Sequence, residues 1–146
     1  MLIATDIHIH QIDGKWYLAK QIYHIIKRYH DYFGEIVLFC REDNSPTKEE
    51  LLSVDKIISG HICFSSLSSV LIGKDKNRLE MAIKQSDLVI GRFHAFSACV
   101  AARLAKRKHK PFLAEVMGDA WDGYWNHGLM GKIVAPFVFL ETIAIQ

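Results

Sequence analysis

Neither of the familiar glycine-rich phosphate signatures, G-x-G-x-x-G or the P-loop, occurs in these 146 residues. Without one, the chain offers no standard backbone cradle for a dinucleotide or a nucleoside triphosphate, and nicotinamide chemistry is set aside. Cysteine is scarce. Cys40, Cys63 and Cys99 are odd in number and widely spaced, with no C-x-x-C. That argues against a disulfide framework or a zinc knuckle and for a reduced, cytosolic setting. Long apolar runs are missing too. Asp6, His8 and His10 interrupt the apolar start, so no signal peptide is read. The run from Ile133 to Ile145 contains Pro136 and Glu141 and is shorter than the roughly 20 residues of a membrane span. A formal charge of +2 is too small to argue for a nucleic-acid partner. Only three prolines are present, and no repeat or low-complexity linker divides the chain.

What is present suits one domain, 1–146, with half its residues hydrophobic. Met1–Ile9 reads as a strand. Asp13 is placed to cap a helix in which Leu18, Ile22, Ile25, Ile26, Tyr29 and Phe33 recur at helical spacing until Gly34. Glu35–Cys40 is a continuous apolar run, as expected of a strand covered on both faces, and 41–50 is a polar loop. The pattern continues with a strand at Val54–Ile58, a serine-rich stretch at 65–69 and a helix at Lys76–Lys84. It ends with a strand at Asp87–Phe93, a helix at Ser97–Lys108, a strand at Pro111–Val116 and a helix at Gly131–Ile145. Alternating strands and helices predict an α/β fold, a Rossmann-like parallel sheet with helices on both faces.

In such sheets ligands bind beyond the carboxyl ends of the strands. Arg92 and His94 stand where the strand at 87–93 opens, Arg92 as an anion clamp and His94 as an acid, base or hydroxyl partner. Glu115 interrupts an apolar strand and therefore needs a partner or a task. Gly118, Asp119, Trp121, Asp122, Tyr124, Trp125, Asn126 and His127 follow it, and aromatic faces beside hydroxyl-seeking groups suit a sugar ring. Gly14, in the first turn, is the place where backbone amides at a helix start would approach a phosphate. His8 and His10 share one face of a strand, an arrangement that can hold a metal ion. A hydrolase barrel built on such a pair takes about 250 residues, more than are here. The cationic run Arg103, Lys106, Arg107, Lys108 and Lys110 is a helix end that can face solvent or anionic lipid headgroups.

Asp87–His94, the alanine-rich helix, Lys110–Phe112, Glu115–Asp119, Trp121–Gly128 and Gly131–Lys132 together resemble the amino-terminal, acceptor-side domain of GT-B glycosyltransferases of family 4, the type of capsule and exopolysaccharide pathways. The resemblance spans most of the chain and is specific between Asp87 and Pro136. It implies retaining transfer of a sugar from a nucleotide-diphosphate donor, a substrate rather than a cofactor, to a glycan or lipid-linked acceptor at the cytosolic membrane face. Arg92 and His94 would then serve the reacting centre. Glu115, Gly118, Asp119, Asp122, Trp125 and His127 would bind acceptor, and Gly14 would line the donor phosphates. No metal or cofactor is implied. Family members carry a histidine in the loop after the fourth strand and another before the next glycine, where this chain has Arg92 and Met117. The family's carboxyl-terminal donor-binding domain has no counterpart within 1–146. The expectation is therefore a half that needs that domain, or a separate subunit, and is inactive alone. Two rival readings are a metal-dependent hydrolase using His8 and His10, and a non-catalytic binding or assembly module.

Overall fold

The computed structural model describes residues 1–43, 45, 47–93, 95–117 and 132. These form seven strands and four helices: β1 (Leu2–Ile12), β2 (Lys15–Ala19), α1 (Lys20–Phe33), β3 (Val37–Glu42), β4 (Leu51–Ser53), β5 (Gly60–Cys63), α2 (Leu67–Ile72), α3 (Lys74–Gln85), β6 (Val89–Phe93), α4 (Phe96–Arg107) and β7 (Phe112–Val116). Five strands run parallel in the order β5-β3-β1-β6-β7, and β2 and β4 extend β1 antiparallel at its far end. The expected α/β, Rossmann-like sheet is present, with an antiparallel ribbon added.

Side chains alternate between two cores, as the strand period of two requires. Leu2, Ala4, Phe39 and Val89 face α2, α3 and α4, packing on Val70, Leu79, Ile83, Val100 and Leu104. Ile3, Leu38, Cys40 and Ile90 face α1, packing on Ile26. Burying each large aliphatic side chain stabilises the domain by about 1.5–3 kcal/mol. Gly91 lies against side chains of both α4 and β7. A Cβ there would lie 2.6 Å from the Phe112 ring and 3.2 Å from the Ala98 methyl.

The first turn departs from the sequence reading. Asp13 and Gly14 both have positive φ, 49° and 76°, and join Ile12 to Lys15 as a two-residue hairpin turn. Asp13 therefore caps no helix. The helix starts at Lys20, behind Ala19, which supplies no side-chain cap. Leu18, assigned by its spacing to the helix, is a fully buried residue of β2. Its four-residue distance from Ile22 mimics a helical face because both elements feed one core. The strand expected at Val54–Ile58 is also displaced. Val54 and Ile57 anchor a buried turn, and the strands are Leu51–Ser53 and Gly60–Cys63. Helix α2 stands where the sequence reading had only a serine-rich stretch, and the other described helices and strands differ from expectation only at their ends.

Asp75, fully buried in the first turn of α3, ties the loop after β5 to that helix. Its carboxylate accepts from the Ser65 amide (3.0 Å) and hydroxyl (2.9 Å) and pairs with Arg78 (3.1 Å). Burial pushes its pKa up, but the bonds from Ser65, Ser69 and Arg78 outweigh burial and hold it at about 2. A depressed carboxylate stabilises the fold above its unfolded pKa, near 4, and loses that contribution as pH falls towards 2. Asp75→Asn should therefore cost about 2 kcal/mol at neutral pH and shrink the difference from wild type between pH 4 and 2. Urea denaturation across that range measures both.

Candidate functional site

Strand order reverses beside β1: β3 and β5 lie on one side, β6 and β7 on the other. In doubly wound sheets this switch point opens a crevice at the carboxyl ends. β1 pairs with β6 only through Ala4↔Gly91, and its register with β3 shifts between Ala4 and His8. The irregular segment delivers Asp6 to the start of α4, where its two carboxylate oxygens accept from the amides of Phe96 (3.0 Å) and Ser97 (3.2 Å). Ala95 gives α4 no side-chain cap, so a carboxylate from 90 residues away satisfies the orphan amides and complements the helix dipole. The position where a helix start at a switch point would take a phosphate already holds a negative charge.

Beside it lies a cleft of about 410 Å³ between the far half of β1, the start of α1 and the loop after β3. Asp6, His8, His10, Asp43, Ser45, Thr47 and Glu49 supply its polar wall, and Ile7, Ala19 and Ile22 its apolar one. A second hollow of about 300 Å³ continues past His10, Gln11 and Ile12. Asp43 Oδ2 lies 3.3 Å from His8 Nδ1, and Oδ1 accepts from the Ser45 amide at 2.8 Å. Those Ser45 bonds, amide first and then hydroxyl, hold the Asp43 carboxyl below its usual range, helped by the nearby His8 and His10. With Nδ1 of His8 turned towards Asp43, Nε2 is the nitrogen left to meet a ligand. Three carboxyl side chains, two imidazoles and two hydroxyl side chains beside an apolar wall suit an uncharged, hydroxyl-rich ring.

The candidates at the other side of the switch point have a different setting. Arg92 is 1% exposed and faces α1. Its Nε donates to Glu115 Oε2 at 2.5 Å, directly across the β6–β7 register, and Nη2 contacts the Met117 sulfur. Nη1 has no hydrogen-bond partner among the described residues. Tyr29 of α1 also hydrogen-bonds Glu115. Burial first, and that carboxylate second, push the Tyr29 hydroxyl up to about 12. Glu115, flagged as a carboxylate needing a partner, thus has two, and Arg92 spends its charge inside the domain. Gly14 sits in the hairpin turn between β1 and β2 and not at a helix start. His94, Gly118, Asp119, Asp122, Trp125 and His127 lie outside the described residues, as does the helix expected at Gly131–Ile145 apart from Lys132.

Among the described residues no three His, Cys, Asp or Glu side chains converge as metal ligands, and no helix is long and apolar enough to cross a membrane. No family model matches the chain, and no solved structure does. It is similar to Protein CapJ of Staphylococcus aureus. The two are 28% identical over 156 aligned positions, which cover the whole of this chain and 39% of that protein. The chain thus spans about two fifths of the length of the curated relative that it matches.

The sequence reading recognised His8 and His10 as a pair but missed Asp6, Asp43, Ser45, Thr47 and Glu49. A signal for the loop residues existed, since 41–50 is a polar loop following a buried strand at the edge where such sheets bind ligands. The Arg92–Glu115 pair gives a direct test of its structural role. Glu115→Gln leaves a buried guanidinium without its counter-charge and should cost on the order of 3 kcal/mol, read by chemical denaturation. A loss below about 0.5 kcal/mol would mean that Arg92 is neutralised elsewhere.

Proposed function

We propose that the chain acts in capsule polysaccharide biosynthesis, as the acceptor-side domain of a retaining glycosyltransferase that uses a nucleotide-diphosphate sugar. The observation that carries this reading is the division of the switch point. The helix start suited to a phosphate is closed by Asp6, while the neighbouring cleft presents groups that bind hydroxyls. That favours a neutral sugar in this domain over the charged nucleotide. Similarity to CapJ along the whole chain supports the pathway, and the unmatched remainder of that protein is room for a donor-binding partner domain.

In this reading His8 and Asp43 form a pair that receives a proton from an acceptor hydroxyl, the carboxylate orienting the ring and stabilising its charged form. Ser45, Thr47 and Glu49 fix the remaining hydroxyls. Arg92 and Glu115 lock the carboxyl ends of β6 and β7, the strands that lead into His94 and into Gly118–His127. Those residues are the proposed contacts to the reacting centre and to the rest of the acceptor. Positive charge on the departing diphosphate is a large part of such catalysis and would come from the partner domain, so this chain alone is expected not to turn over. The proposed site of action is the cytosolic face of the membrane, where a lipid-linked acceptor is presented.

Titration calorimetry with oligosaccharide fragments of the host's capsule tests the cleft. His8→Ala and Asp43→Ala should each weaken binding by roughly tenfold to a hundredfold, as expected for losing a hydrogen bond to a charged group. Both positions are solvent-accessible, so thermal stability should hardly change. Affinity unchanged in both variants, or a free nucleotide bound more tightly than any oligosaccharide, would overturn the assignment.

A further inference from the structure

Cys40 and Cys63 are far apart in sequence but are direct partners in the parallel register of β3 and β5. Both side chains belong to the α1 face of the sheet and to one core cluster. We infer that Cys40 and Cys63 form a reversible dithiol–disulfide couple, oxidised by exchange with a low-molecular-weight disulfide. Register partners on adjacent strands are about 4.8 Å apart at Cα, inside the range that a disulfide spans. Their Cβ atoms must close by roughly half an ångström. β5 can give way: it is four residues long and pairs, among the described residues, only with β3.

The two cysteines differ in the way that exchange requires. Cys63 is half-buried, so a small disulfide can reach it, whereas Cys40 is fully buried. The neighbouring Cys40 thiol lowers the pKa of Cys63; burial and Glu42 oppose this, and Arg78 adds to it. Arg78 is held close, donating to the Cys63 carbonyl at 2.9 Å. The Cys63 thiolate attacks one sulfur of the small disulfide, forming a mixed disulfide and releasing one small thiolate. Cys40 then gives its proton to the released small thiolate and attacks Cys63 Sγ, releasing the second. The protein loses two hydrogens, the small disulfide becomes two thiols, and electrons balance. Exchange in the opposite direction by excess small thiol restores the dithiol. Cys99 lies in a separate core cluster with Phe93 and Ala98 and serves as an internal control.

The test uses the full chain, reduced and then equilibrated over a series of oxidised-to-reduced glutathione ratios. It is quenched with acid, alkylated in denaturant, and read by intact mass and peptide mapping. The expected product carries one alkyl group, on Cys99, and a linked peptide pair containing Cys40 and Cys63 that dithiothreitol separates. In Cys40→Ala the reaction should stop at a glutathione adduct on Cys63. Three alkylated cysteines at every ratio would overturn the inference. So would a wild-type adduct on Cys63 that never resolves, or a link that includes Cys99. These wild-type outcomes decide the matter even if the variant folds poorly.

Discussion

Everything in this domain depends on how β1 satisfies its backbone on both edges. Over Leu2–Ala4 it lies between β3 and β6, its side chains sealed from water on both faces. Past Ala4 it must leave β6, and by His10 it has turned to β2 for antiparallel partners. Buried peptide groups cannot go unpaired, so the exchange of partners has to occur over a few residues. That short irregular stretch holds Asp6 and His8.

Two consequences follow from the exchange. Asp6 reaches the uncapped start of α4 and closes it, joining the first and fourth parallel strands through a helix dipole and two amides. The separation of the far half of β1 from β6 accompanies the cleft, walled by the loop after β3 on one side and by α1 on the other. Stability and the candidate site thus share a cause. At the opposite side of the switch point the chemistry is inward: Arg92, Glu115 and Tyr29 form a polar group between sheet and helix. Buried ion pairs of this kind contribute little net stability but are costly to break, which makes them good locks on strand alignment.

The later half of the fold was legible residue by residue. Val89–Phe93 is a strand-forming run buried throughout, and Phe96–Arg107 is alanine-rich with cations at its end, so local preference and burial agree there. Phe112–Val116 is a strand by preference alone, since Leu113 and Val116 are exposed. The first turn was not legible by spacing alone. Leu18 and Ile22 sit a helical interval apart while belonging to a strand and a helix, because hydrophobic periodicity records which residues reach a core and not how the backbone brings them there. The Asp13–Gly14 pair was the contrary signal, since both residues tolerate the positive φ of a tight hairpin.

By itself the sequence determined the α/β class and the need of Glu115 for a partner. Those follow from period, composition and the cost of burying charge, which act over a few residues. Only the tertiary structure decided that Arg92 turns inward, that Asp6 closes a helix start 90 residues away, and that Asp43 meets His8 across the cleft. It also decided that Cys40 and Cys63 become register partners. Each of these pairings joins residues more than twenty positions apart. Strand order and register set which of them meet, and local sequence pattern carries no record of either.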